Sequence, residues 1–261
     1  MPRSMTLLNS IDFSNAILPL QIAAVFVLAG VVKGVVGLGL PTISMALLAL
    51  MMVPAEAAAL LIVPSLVTNV WQIRPWGSLG PMWKRLNTMQ WGICVGTLAG
   101  AWALGAPAGA WATVALGVAL IAYAAWGLTG MQLSVQSSAE RWLAPLVGAI
   151  TGLVTAATGV FVIPAVPYLQ ALGLQRDELI QAMGISFTVS TLALAAGLYF
   201  NGRYSSGDLG LSVLMLLPAL VGMAVGTYVR QKLSPVLFRK LFLISLILLG
   251  THMVLRELLG T

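Results

Sequence analysis

The stretch Val31-Val-Lys-Gly-Val-Val-Gly-Leu-Gly-Leu-Pro-Thr-Ile-Ser-Met-Ala-Leu-Leu48 is apolar, yet it carries Lys33, Gly34, Gly37, Gly39 and Pro41. A helix does not run through that undisturbed. Pro41 has no amide hydrogen and disfavours helical geometry at Leu40, and the glycines loosen the turns before it. The stretch predicts one helix ending near Gly37 and a second starting near Thr42. A related stretch returns later, Thr151-Gly-Leu-Val-Thr-Ala-Ala-Thr-Gly-Val-Phe-Val-Ile-Pro164, where small and hydroxyl residues again interrupt an apolar run. Broken backbone at membrane depth is tolerated only where protein buries it or where it lines water. Paired interruptions in corresponding halves therefore point to a transport site.

The surrounding composition agrees. Of 261 residues, 59% are hydrophobic and 8% charged, against about 25% charged in a soluble domain. With a mean hydropathy of +0.99, this is the profile of a polytopic membrane protein. Its net charge of +6 does not indicate nucleic acid, because the basic residues sit in short loops between apolar runs, where membrane topology places them. Cys94 and His252 are each the only residue of their type, so neither a disulfide, a metal site nor a Ser-His triad is expected, and no cofactor. Met1–Asn15 lacks a basic n-region with a small-residue cleavage site, so the first helix is read as part of the mature protein.

Taken in order, Ile17–Val36 spans roughly 30 Å as a helix, enough to cross a bilayer. Thr42–Val53 is too short to cross upright and reads as a half-helix or re-entrant arm. Glu56–Ile73 follows, then a loop with Arg74, Lys84 and Arg85. Met89–Leu104 contains Gly92-x-x-x-Gly96-Thr97, a spacing that lets helix backbones approach closely. Trp111–Leu128 closes the first half, and the polar stretch Gln132–Arg141 reads as a linker. The second half gives the interrupted region, a short Val160–Leu172, the long Leu179–Phe200, then Leu209–Val229 with Gly222-x-x-x-Gly226-Thr227, and a last helix to about Leu255.

Several features recur in register: Gly34 with Gly152, Glu56 with Asp177, Ser65 with Ser186, Gly96-Thr97 with Gly226-Thr227, Pro107 with Pro235. Duplication follows. The loop after the third segment is basic and its counterpart Asn201–Asp208 nearly neutral, while the loop after the fourth is uncharged and its counterpart holds Arg230, Lys232, Arg239 and Lys240. The positive-inside rule then inverts one half against the other. The expected fold is an all-α polytopic membrane protein of two inverted repeats, 1–130 and 142–261, joined by 131–141. Each repeat has an interrupted or re-entrant first helix pair plus three transmembrane helices, with both termini outside.

The residues assembled so far resemble the TauE/SafE sulfite-exporter family, also called the toluene sulfonate uptake permease family. Gly34-Val-Val-Gly37-Leu-Gly39 and Gly152 through Pro164 carry the likeness, together with the length and the duplicated organisation. The resemblance implies a secondary transporter for a small organosulfur anion, sulfite or an organosulfonate, in a bacterial inner membrane. Its partners would be that anion and the lipid bilayer. A homodimer is compatible with it, and the alternatives are a carrier of another small anion (carboxylate, thiosulfate or sulfate) or a non-transporting membrane subunit. An intramembrane enzyme would need clustered His, Cys or paired acids within helices, which the sequence does not offer.

An anion in a low-dielectric site needs fixed positive potential. Helix N-termini provide it through free amide hydrogens and the helix dipole. Half-helices starting near Thr42 and Gly159 would supply two such ends, flanked by Gly37 and Gly39. Thr42, Ser44, Thr155 and Thr158 would add hydroxyls unless each bonds back to its own helix. Lys33 is the sharpest candidate, either as the charge that meets the anion or as an end residue snorkelling to water. Asn69, Gln72 and Arg74 extend from the third segment beside Trp71 and Trp76, as a cytoplasmic mouth or an interfacial belt. Ser186 and Ser190 share a helix face in the second half. Glu56 and Asp177 stand just before their helices, fit for capping or for proton coupling.

Overall fold

The computed structural model describes residues 17–131, 133–232 and 234–259. The polar stretch Met1–Asn15 and the linker residue Gln132 lie outside it. All regular structure among the described residues is helical: α1 Ile17–Val36, α2 Leu40–Leu48, α3 Pro54–Gln72, a short 3-10 turn Trp76–Ser78, α4 Leu79–Leu104, α5 Ala110–Thr129, α6 Ser137–Thr158, α7 Ala165–Ala171, α8 Arg176–Phe200, α9 Ser206–Val229 and α10 Pro235–Leu259. Seven of these, α1, α3, α5, α6, α8, α9 and α10, are long and apolar enough to cross a membrane. The chain is a multi-pass membrane protein.

Several boundaries differ from the sequence reading, among them the end of α2, at Leu48 and not Val53. α4 starts at Leu79, ten residues before Met89, so Lys84 and Arg85 ride on a helix. Pro81 does not prevent this, because in the first turn its missing amide has no intrahelical partner to lose. α6 already includes Glu140 and Arg141 in its opening turns. The second short helix begins only at Ala165, not near Gly159. Gly159 adopts φ +71 and caps the end of α6, and the β-branched run that follows stays non-helical up to Pro164.

The contacts fix the helix directions. Along α1 and α9, Gly30 packs on Ala219 and Met223, and Gly34 packs on Met223 and Thr227, so these helices run side by side in one direction. Along α6 and α4, Gly148 packs on Met89 and Ile93, and Gly152 on Ile93 and Thr97, which repeats the same arrangement. α3 runs with α1, since Lys33 meets Asn69 near both C-terminal ends. α8 runs with α4, since Gln90 meets Ser186 and Asn201 meets Ala101. Gln181 near the start of α8 bonds the carbonyls of Ile73 and Pro75 beyond the end of α3. The trio α1, α3, α9 therefore opposes the trio α4, α6, α8.

Glycine makes these pairs possible. A Cβ on Gly34 would lie 2.4 Å from the Met223 carbonyl oxygen, and one on Gly152 2.4 Å from the Thr97 amide nitrogen. Both distances are far inside van der Waals contact, so the backbones touch directly, as small-residue seams in membranes allow. Arg74, Lys84, Arg85, Arg141, Arg176, Arg230, Lys232, Arg239 and Lys240 fall at the rim where α3 ends, whereas Arg203 and Arg256 fall at the far rim.

Candidate functional site

The first break forms as its composition dictates. Gly37 and Gly39 take φ +86 and +113, a left-handed region that costs other residues roughly 1–2 kcal/mol. α1 stops at Val36, and α2 restarts at Leu40 with Pro41 in its first turn. The carbonyl of Gly37 accepts a hydrogen bond from Gln72 Nε2, which ties the break to the end of α3. The second break packs against the same helix. A Cβ on Gly159 would lie 2.8 Å from Met45 Cε in α2 and 3.4 Å from Ala58 Cβ in α3, and Phe161 stacks on Phe187 of α8 with ring centroids 5.2 Å apart. The second break thus touches α2, the short helix that follows the first break, but along α3 the two lie near opposite ends, at Gln72 and at Ala58.

Lys33, one turn before the first break, points inward and is 3% exposed. Its ammonium donates to Thr68 Oγ1 at 2.9 Å and to Asn69 Oδ1 at 2.5 Å. Both partners are held in turn. Thr68 donates to the Pro64 carbonyl at 2.6 Å, and Asn69 Nδ2 donates to Thr191 Oγ1 of α8 at 3.5 Å. An ammonium has three donors, and these neutral partners occupy two. Lys33 has no carboxylate partner among the described residues. The ion pair they contain, Arg85 with Glu140 at 2.7 Å, braces the basic rim. A buried cation whose partners are all neutral has not recovered its lost hydration by pairing, and it attracts an anion.

Other buried hydroxyls have nothing to bond. Ser65 on α3, Ser190 on α8, and Thr42 and Ser44 on α2 are buried, and their side-chain oxygens have no hydrogen-bond partner. Ser186 is engaged, accepting from Gln90 Nε2 at 3.0 Å. The hydroxyls of Thr155 and Thr158 turn back onto their own helix, donating to the Thr151 and Val154 carbonyls at 2.7 and 2.6 Å. The electrostatic sense at Gly159 is also the reverse of the sequence expectation. This residue ends α6 and does not begin a half-helix, so the dipole there is negative. The positive elements inside the bundle among the residues singled out are Lys33 and the start of α2.

The remaining candidates disperse. Arg74 is exposed and stacks 3.9 Å over the Trp71 ring, apart from buried Asn69 and half-buried Gln72. Glu56 and Asp177 are exposed in the first turns of α3 and α8, at opposite rims. A cleft of about 780 Å³ opens at the far rim between the starts of α1, α3 and α9, and Glu56 and Asp208 are the carboxylates among its described lining residues. The sequence reading did not select Thr68, Ser65 or Thr191 as ligands. Their signal was present, because hydroxyls one turn apart inside an apolar helix are costly unless they face protein.

The profile of a family described as Sulfite exporter TauE/SafE matches residues 22–253. No curated protein and no solved structure matches the chain.

Proposed function

The chain belongs to the TauE/SafE sulfite exporter family, whose members are membrane transporters, and on that premise we propose that it carries a small organosulfur anion, sulfite or a short organosulfonate, across a bacterial inner membrane. The anion binds where the interrupted helices of two inverted repeats meet. One observation carries the reading: the buried ammonium of Lys33, held by Thr68 and Asn69 with no carboxylate partner among the described residues; Ser65, one turn before Asn69, and Ser190, next in the chain to Thr191, keep unpartnered hydroxyls. A single lysine neutralises a single charge. This favours a monoanion such as a sulfonate or hydrogen sulfite over a dianion such as sulfate, which would keep one charge buried and unmatched.

The opposed helix trios, and the repetition of the Gly30–Gly34 packing by Gly148–Gly152, support an exchange between two repeats, 1–130 and 142–261, about this site. The concentration of basic residues at one rim supports placing that rim in the cytoplasm. Glu56 and Asp177 complement helix starts in this scheme. Counterflow of labelled sulfite and of a labelled sulfonate into proteoliposomes tests the proposal. Saturable exchange that competing anions inhibit is expected, and the absence of exchange for every anion tried overturns it.

A further inference from the structure

Lys33 is shut in, and the groups that hold its ammonium, Thr68 Oγ1 and Asn69 Oδ1, both belong to α3. An anion reaches it only if a helix moves. α3 has a place to bend just before these partners. Pro64 stands inside the helix and has no amide hydrogen to give the Leu60 carbonyl. Ser212 of α9 takes over there: its hydroxyl donates to that carbonyl at 2.8 Å and accepts from the Val63 amide at 3.0 Å. Proline is a common cause of helix bends, and a serine that re-satisfies the freed backbone makes it tolerable at membrane depth. The turns beyond, Ser65 to Gln72, carry both partners of Lys33, and Gln72 itself holds the Gly37 carbonyl.

The far end of this arm is fastened by one buried side chain. Gln181 of α8 donates through Nε2 to the carbonyls of Ile73 at 2.7 Å and Pro75 at 2.8 Å, and its Oε1 accepts from Ser78 Oγ at 3.0 Å. One turn farther along α8, a Cβ on Gly184 would lie 3.0 Å from the Gln72 carbonyl carbon and 3.1 Å from the Asn69 carbonyl oxygen, so the two backbones touch. Thr191, a rise of roughly 15 Å beyond Gln181, accepts from Asn69. These ties join neutral groups, each worth little net stability. Together they hold the seam closed and leave an open minority state within reach.

We propose that Ser65–Gln72 is a gate between the basic rim and Lys33, with Pro64 and Ser212 as its hinge and Gln181 as its latch. Swinging the arm away from α8 takes Thr68 and Asn69 off the ammonium and frees two of its three donors for the anion. The anion's oxygens replace the lost neutral partners, so its binding favours the open arm.

The inference rests on the proposed function for what passes the gate, but its test needs no anion and is read apart from the exchange assay. The full chain, in lipid nanodiscs and with Cys94→Ser, receives one reporter at a time. Thr191→Cys lies behind the latch, and Ala124→Cys is buried on α5, which packs chiefly on α10. Labelling by N-ethylmaleimide is followed by mass spectrometry. Gln181→Leu is expected to speed labelling at Thr191→Cys about tenfold or more, the change that losing a net hydrogen bond makes in an opening equilibrium, and to leave Ala124→Cys at the parent rate. Ser78→Ala removes one bond of the latch, should give a smaller rise, and serves if Gln181→Leu does not fold. Pro64→Ala returns an amide to the Leu60 carbonyl and should slow labelling at Thr191→Cys. An unchanged rate at Thr191→Cys in the latch variants, or an equal rise at both reporters, which marks general loosening, overturns the gate. A parent rate in Pro64→Ala overturns the hinge.

Discussion

Replacing Lys33 by methionine removes the charge and keeps most of the length, which makes it the sharpest perturbation of the proposed site. Without ligand, two effects oppose each other. The variant is relieved of an ammonium whose burial costs about 2.5–3.5 kcal/mol on insertion scales. It also strips Asn69 Oδ1 of its donor, and an orphaned buried acceptor costs about 1–3 kcal/mol. The two nearly cancel, so the unliganded variant should melt close to the parent protein. With ligand they do not cancel. Hydrogen bonds to a charged group are worth about 1.5–3 kcal/mol each, so losing the ammonium should weaken anion binding by roughly 100-fold or more. The assay is thermal unfolding of the purified protein with and without sulfite or a sulfonate. A ligand at 100 times its Kd stabilises the parent by about 2.7 kcal/mol, and the same concentration should leave Lys33→Met almost unmoved. An equal ligand-induced shift in the two proteins would refute the role given to Lys33.

Other substitutions probe the frame around it. Gly152→Val should abolish the folded protein or lower its melting point sharply, because even a Cβ would sit 2.4 Å from the Ile93 carbonyl oxygen. Gly80→Ala, with nothing near its would-be Cβ, should be neutral in the same size-exclusion and melting assays. Gly159→Ala should cost about 1–2 kcal/mol for the left-handed conformation alone, with more from contact with Met45, read as a fall in unfolding midpoint. In a Cys94→Ser background, a membrane-impermeant maleimide applied to whole cells should label Arg203→Cys and spare Lys84→Cys. The opposite pattern would reverse the assigned orientation.

Much of this was readable in the chain. Gly37, Gly39 and Pro41 announce the first break through backbone chemistry that acts within a turn, and the structure ends α1 at Val36 and starts α2 at Leu40. The second break was located but its sense was not. Gly159 looked like the start of a half-helix, and it ends the full-length helix α6, because a lone glycine after a helix serves as a C-terminal stop. Lys84 and Arg85 looked like loop residues, and they extend α4.

The sequence by itself determined the membrane class, the places where helices break, the recurring glycine spacing and the family, because each depends on composition or on residues close together in the chain. Only the tertiary structure decided which polar side chains are free. Lys33 meets Asn69 from 36 positions away, and Asn69 meets Thr191 from 122. Thr155 and Thr158 spend their hydroxyls on their own helix while Ser65 and Ser190 do not. Whether a buried hydroxyl is satisfied depends on what the opposing helix brings within about 3 Å of it, and that is set by packing between distant segments, which local chemistry does not encode.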